Sequence, residues 1–263
     1  MKKLTNKILL GLGLLFCCSI IFSAFKFRQE YDKNITKGDL YFLYSPIQEQ
    51  PFSHLMIRGG NVTTIVYEPA ERSSVRVFNK WAGYNEKRVK TTVSHDTLYL
   101  DFPNRYKDND EKNQLGNTPA VRIFSPVLKS ITCFNTNLLL SKFKQKELTA
   151  DISGNSSLTV ESLIYEFTSV SVKAADTTDI IFEMSSSLRK AASAPSKSNP
   201  QEIPAIAAGW DIFHIQRFHA EASGQSFINI GRAQVDSIDF KLTDTASILL
   251  SGGTIRKNKL RKS

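Results

Sequence analysis

Apolar and polar positions alternate with a period of two along most of this chain, and in the C-terminal half the alternation itself recurs about every 20 residues. Residues 148–156 (Leu-Thr-Ala-Asp-Ile-Ser-Gly-Asn-Ser) return at 218–226 as Phe-His-Ala-Glu-Ala-Ser-Gly-Gln-Ser. One set of inward pairs is Leu138/Leu140, Leu158/Val160, Ile180/Phe182, Ile228/Ile230 and Ile248/Leu250. A second is Ala150/Ile152, Val172/Ala174, Ala220/Ala222 and Phe240/Leu242. A strand of about five residues cannot bury an apolar face alone, so a repeat this short predicts parallel strands stacked about 4.8 Å apart over a shared interior. The fold expected is all-β: a parallel β-solenoid. Sharp corners between strands explain Gly154 and Gly224, where a positive φ is free of steric cost. Asn135, Asn155, Asp176 and Asp244 occupy neighbouring corners. One interval is longer than the rest, and it contains residues 185–209, rich in Ser, Ala and Pro. That segment reads as a disordered insertion in one repeat.

Upstream, Leu55-Ile57, Val62-Thr64-Val66, Val75-Val77, Val89-Thr91-Val93 and Leu98-Leu100 also alternate, with breaks at Gly59-Gly60, Pro69, Gly83 and His95-Asp96. These predict short antiparallel strands ahead of the repeats. Residues 103–118 hold almost no apolar side chains and read as a loop. Residues 26–51, with mixed charge and Tyr31, Tyr41, Phe42 and Tyr44, read as a juxtamembrane stalk.

At the N-terminus the period disappears. Ile8 to Phe25 is an uncharged apolar run preceded by Lys2, Lys3 and Lys7. It suits a transmembrane anchor or the core of a signal peptide. The cleavage pattern is poor, since Ala24 has Phe22 two positions before it and Ser23 has Ile21, so an uncleaved anchor fits better. Leu14-Leu15-Phe16 is a bad approach to a lipidated Cys17 or Cys18. The lysines place residues 1–7 in the cytoplasm and send the rest across the membrane.

The net charge of +9 changes little once it is located. Three charges lie in residues 1–7 and five in the tail 256–263, leaving 26 of the 34 basic residues against 25 acidic ones. The body is nearly neutral, which argues against a nucleic-acid groove. The basic tail fits edge protection or contact with anionic headgroups. Only Cys133 lies outside the apolar run, so the exported part cannot form an internal disulfide, and its alternation with Ile131 makes it a buried apolar residue.

Several segments resemble a known family. Residues 52–65 (Phe-Ser-His-Leu-Met-Ile-Arg-Gly-Gly-Asn-Val-Thr-Thr-Ile), 74–77 and 95–100 look like the opening strands of the bacterial head GIN domain, a candidate auto-transporter adhesin head of otherwise unknown function. Residues 128–133, 151–158 and 221–228 resemble its Ser-Gly-x-Ser turn motif. The resemblance spans about residues 52–255 and implies a right-handed single-stranded β-helix outside the cytoplasm. It brings no catalytic or ligand residues. The chain departs from the pattern in its 185–209 insertion, in Asn135-Thr136-Asn137, and in its uncleaved-looking anchor.

The chemistry-bearing residues are sparse. His54, His95, His214 and His219 show no metal-ligand spacing, and strict alternation would set His214 and His219 on opposite faces of a strand. No phosphate loop, dinucleotide fingerprint or Gly-x-Ser-x-Gly elbow is present. The acids Asp176, Asp179, Asp236, Asp239 and Asp244 are the candidates for a hydrolytic pair, although a ladder of solvated corner residues explains them equally. No catalytic, cofactor or metal residue is expected. Trp81, Tyr84 and Trp210, with Tyr99, are the candidate ring surface for a glycan, against a role in packing. The expectation is a non-catalytic envelope module anchored through residues 8–25, adhesion-like or scaffolding, that engages a protein or glycan. An envelope-sensing domain held near the bilayer is the alternative, followed by a polysaccharide-active enzyme.

Overall fold

In the computed structural model of the chain, residues 2–36, 40–184, 214–252 and 254 are described. The expected insertion at 185–209, Trp210 and the basic tail 256–263 lie outside them. The chain divides into two compact units, Met1–Leu43 and Tyr44–Ser263.

The first unit is built on α1 (Lys2–Thr36). The helix therefore continues past Phe25 through the first part of the expected stalk. Its window Gly11–Lys33 has a mean hydropathy of 1.5 and none of it is buried. At about 1.5 Å of rise per residue, 23 residues reach across a hydrocarbon core of about 30 Å. It is one helix long and apolar enough to cross a membrane, by length and composition.

The second unit begins with β1 (Tyr44–Gln48), β2 (His54–Arg58), β3 (Ile65–Pro69) and β4 (Ser74–Phe78). The single-turn α2 (Ala82–Asn85), β5 (Lys90–Ser94), β6 (Thr97–Asp101) and α3 (Asn109–Asn117) follow. Next come β7 (Val121–Ser125), β8 (Ser130–Phe134), β9 (Asn137–Phe143), β10 (Glu147–Ser153), β11 (Asn155–Ser162), β12 (Glu166–Ala174) and β13 (Thr177–Met184). The last described strands are β14 (His214–Ala222), β15 (Phe227–Asn229), β16 (Gln234–Leu242) and β17 (Ser247–Leu249).

These strands form two large mixed sheets, and that overturns the expected all-β, single-stranded parallel β-helix with an antiparallel prelude. One sheet has nine strands in the order β1-β4-β7-β3-β9-β11-β13-β15-β17. The other has eight, in the order β16-β14-β12-β10-β8-β2-β6-β5. The early strands do not precede the later ones as a separate layer. β2 lies between β6 and β8, parallel to both, and β3 lies between β7 and β9, parallel to both. The pairs β1/β4, β4/β7 and β5/β6 are antiparallel within the same two sheets. With α1, α2 and α3 the chain is mixed α/β. Alternation has the same period in parallel and antiparallel strands, so the sequence pattern could not distinguish the two directions.

Later strands pair in the register that the spacing suggests. Leu138, Leu158, Ile180, Ile228 and Ile248 are successive partners across the nine-stranded sheet. Ile131, Ala150, Val172, Ala220 and Phe240 are successive partners across the eight-stranded one. The facing sides of both sheets share one buried apolar cluster. Phe143, Phe167 and Phe182 form a ring column in it, with centroids 6.5 and 6.2 Å apart.

A column of left-handed residues turns the chain between the sheets: Asn135 (φ 53°), Gly154 (74°), Asp176 (63°), Gly224 (69°) and Asp244 (57°). Glycine alternates with Asx for a steric reason. Gly154 N–H donates to Asp176 Oδ2 at 2.9 Å, and Gly224 N–H donates to Asp244 Oδ2 at 3.1 Å. The preceding turn of the column leaves no room for a Cβ at either glycine, and at Gly154 the obstacle is the Asn135 side chain. A Cβ on Gly224 would come within 2.7 Å of the Asp176 carbonyl oxygen. Asn155 is the first residue of β11, where its N–H donates to Asn135 Oδ1 at 2.9 Å.

Residues 103–118, read as a loop, contain α3. Its start is capped: the Asp108 side chain accepts from Glu111 N–H at 2.8 Å, and the Glu111 carboxylate reaches back to accept from Lys107 N–H, one residue before the cap.

Candidate functional site

Glu111 anchors a buried polar cluster. Its Oε1 accepts from Trp81 Nε1 at 2.6 Å and from the Arg88 guanidinium. Trp81 is fully buried and stacks on Phe102 at 5.2 Å, with Arg88 over its ring at 5.5 Å. Trp81 therefore offers no ring face to an outside ligand, contrary to the candidate surface read from the sequence. The indole holds α3 and α2 to the sheets. Tyr84 is half-buried and lines a different feature, a groove of about 500 Å³ formed with Ile47, Val77, Val89 and Thr91, beside α2 and between β1 and β5. Tyr99 is 38% exposed on β6.

The outer face of the eight-stranded sheet is the more ordered polar surface. Parallel register puts Asp151 beside Lys173, Lys173 beside Glu221, and Glu221 beside Lys241. The charge thus alternates across β10, β12, β14 and β16. Lys173 Nζ lies 3.1 Å from Glu221 Oε2. The hydrogen bond from Lys173, then its charge, holds the Glu221 carboxyl below the usual carboxylate range. These side chains, with Ala174, Ala222 and Ser223, border a shallow groove of about 290 Å³. A face of this kind can recognise a ligand that carries both signs or many hydroxyls.

Two histidines stand on the same face. His214 Nε2 lies 2.8 Å from Asp236 Oδ2, and His219 Nδ1 lies 3.0 Å from Asp239 Oδ2. Strict alternation set these histidines on opposite faces. In β14, however, Gln216 and Arg217 both turn away from the core between buried Ile215 and Phe218, which restores His219 to the side of His214. The His-Asp pairs went unread in the sequence. The available signal was their separation: 20 residues for His219 and Asp239, which is the β14-to-β16 offset, and 22 for His214 and Asp236, two residues further along the same face.

The remaining acids are dispersed. Asp176 and Asp244 sit at corners, and Asp236 and Asp239 face histidines. Among the described residues no group of three or more His, Cys, Asp or Glu side chains is placed to hold a metal ion. Cys133 is buried, and burial pushes its thiol pKa up.

No family model and no curated protein matches the chain. Solved structures do show a distant likeness. A candidate adhesin from Parabacteroides distasonis aligns at 12% identity and TM-score 0.47 over 78% of this chain and 71% of that one. A candidate adhesin from Bacteroides fragilis aligns at 12% identity and TM-score 0.44 over 79% and 91%. A candidate lipid-binding protein from Parabacteroides distasonis aligns at 12% identity and TM-score 0.38 over 80% and 94%. With so little identity and TM-scores under 0.5, these likenesses carry no argument about what this chain does.

Proposed function

We propose that this chain is an exported, bilayer-anchored module of a bacterial envelope that binds or scaffolds without catalysis, presenting the outer face of its eight-stranded sheet. The observation that carries the reading is that face: charges alternate in register over four neighbouring strands around an open groove. Its acids Glu221, Asp236 and Asp239 are engaged by Lys173, His214 and His219, an arrangement suited to recognition of a protein or glycan. The exposed apolar window of α1 supports the anchor. Only seven residues join Thr36 to Tyr44, and so short a link favours a ligand near the bilayer over a far-reaching adhesin.

Two measurements test this. Membrane fractionation with a size check of the N-terminus is expected to give an uncleaved, alkali-resistant membrane protein, and a shortened product in the medium would refute the anchor. Binding of the full chain, in detergent micelles, to arrayed envelope glycans and envelope proteins is expected to fall with Lys173→Glu. If a ligand is found whose binding ignores Lys173→Glu and Lys241→Glu, the sheet face is not the binding surface.

A further inference from the structure

The outer face of the eight-stranded sheet carries two rings that the core does not use. Phe134 of β8 points away from the core and is 49% exposed, and Tyr99 of β6 is 38% exposed. The inward side of these strands is filled by Ile131, Cys133, Leu98 and Leu100. Among the described residues no ring contact or cation–π pair holds Phe134, and no hydrogen bond holds the Tyr99 hydroxyl. β2 runs between the two strands. Register sets Met56 beside Tyr99 and Thr132, and Arg58 beside Asp101 and Phe134. With strands about 4.8 Å apart and about 3.3 Å per residue along them, the two rings are about 12 Å apart, with Met56 and Arg58 between them. Arg58 is exposed, and among the described residues no ion pair or hydrogen bond holds its guanidinium. Its neighbour Asp101 also lies beside Lys90 of β5, so two cations share one acid. Further along the same face, on β10 and β12, come Asp151 and Lys173, at the border of the charged groove.

We propose that this ring-bearing end and the charged groove form one site for an acidic oligosaccharide, in which uronate residues alternate with neutral sugars. The proposal rests on the outer face being the recognition surface, and it names the ligand of that face. The C–H groups on one side of a pyranose are apolar and weakly positive, and they pack on the negative face of an aromatic ring. Single rings set among hydroxyls and charges suit such a ligand. A protein partner of ordinary size covers about 800 Å² and is centred on a contiguous apolar patch. Here the rings are held apart by Met56 and Arg58 and bordered by Thr92, Thr132 and Ser153. Charge complementarity sets the rest. Arg58 offers a planar fork to one carboxylate. Lys173, three strands away in the sheet order and about 16 Å distant by the same spacing, offers a second cation. Asp151 stands on the strand between Phe134 and Lys173, where it repels a carboxylate and accepts from hydroxyls. Acidic residues of the ligand must therefore alternate with neutral ones.

The test is calorimetric titration of the full chain, in micelles of a phosphocholine detergent, with an oligosaccharide of alternating glucuronate and N-acetylglucosamine. Its carboxyl methyl ester and an oligogalacturonate of equal length are the comparison ligands. The alternating acid is expected to bind about 10-fold more tightly than either. Arg58→Gln is expected to remove most of the preference for acid over ester. Phe134→Ala and Tyr99→Ala are each expected to weaken acid and ester alike, by about 5-fold. All three side chains are exposed, so the melting temperature is expected to stay unchanged in each variant. Absence of binding by the alternating acid overturns the proposal. So does binding that ignores Arg58→Gln, Phe134→Ala and Tyr99→Ala, and so does a preference for the uniform acid. An envelope protein that binds in place of the glycan and is lost with Phe134→Ala would make the patch a protein interface and also overturn it. The wider reading of the sheet face is judged separately, by Lys173→Glu and Lys241→Glu with any ligand, so failure of the oligosaccharide leaves that reading standing.

Discussion

Glu111→Gln isolates the strength of the polar cluster under α3. The substitution keeps the volume and the main chain, and leaves the Asp108 cap on the residue-111 N–H in place. The carboxylate accepts from three donors, Trp81 Nε1, Arg88 and Lys107 N–H, spread over both oxygens. A carboxamide has one acceptor oxygen, so one donor must face an NH₂ group. An unsatisfied buried donor costs about 1–3 kcal/mol. Arg88 also loses its charged partner. Its side chain is 21% exposed, so water recovers part of that loss, and about 1 kcal/mol more is a fair share of the 3–5 kcal/mol seen when fully buried pairs are broken. The expected loss is about 3 kcal/mol, or more than 100-fold in the folding equilibrium. The assay is urea unfolding of the full chain in detergent micelles, followed by Trp81 fluorescence. A Trp210→Phe background leaves Trp81 as the sole reporter of the two tryptophans. The midpoint is expected to fall with an unchanged slope. A loss below about 1 kcal/mol at constant slope would refute the reasoning, because desolvation of the carboxylate would then offset its three bonds.

Gly224→Ala is expected to destabilise by about 1–2 kcal/mol, since φ is 69° and the new Cβ meets the Asp176 carbonyl. Gly116→Ala in α3, with open space around it, is expected to stabilise by about 0.5–1 kcal/mol, and the two thermal midpoints should move in opposite directions. The carboxyls of Asp96, Glu86 and Glu221 are held low by hydrogen bonds from Ser53, Lys107 and Lys173 respectively, each with added lysine charge. A lowered folded pKa gives stability that is present above the unfolded value and lost as pH falls through the folded one. The melting temperature is therefore expected to drop below the ordinary carboxylate range, and Lys173→Met should flatten that drop. In a Cys17→Ser/Cys18→Ser background, Cys133 is expected to resist thiol reagents until the chain unfolds, and rapid labelling in the native state would show that the core opens locally.

Positions and registers of the later strands were legible in the sequence because they follow from where Leu138, Leu158 and Ile180 recur. The corner residues Gly154, Gly224, Asp176 and Asp244 were legible from their place between alternating runs. Strand direction was not. Val75-Val77 reads the same whether β4 meets β7 head-on or head-to-tail, and nothing local to His54–Arg58 announces that β2 sits between β6 and β8. α3 was hidden by its polarity, although Asp108 and Glu111 carried the capping signal. Trp81 could be read either as a surface ring or as a packing residue, because what decides between them is Glu111, thirty residues away, supplying an acceptor for the indole N–H. The outer-face histidines were misplaced by one extra outward residue near Gln216, a local departure that periodicity averages away.

The central position of β2 and β3 has a consequence for biogenesis. Both neighbours of each strand lie later in the chain, at 97–101 and 130–134 for β2 and at 121–125 and 137–143 for β3. A polypeptide made from its N-terminus onward therefore produces these two segments long before their partners arrive. They must wait unpaired, with Ile57, Ile65 and Tyr67 open to water or to a holdase, until about residue 143 has emerged. The order of synthesis and the order of assembly are thus decoupled in this protein, and its leading strands stay unpaired until the middle of the chain has been made.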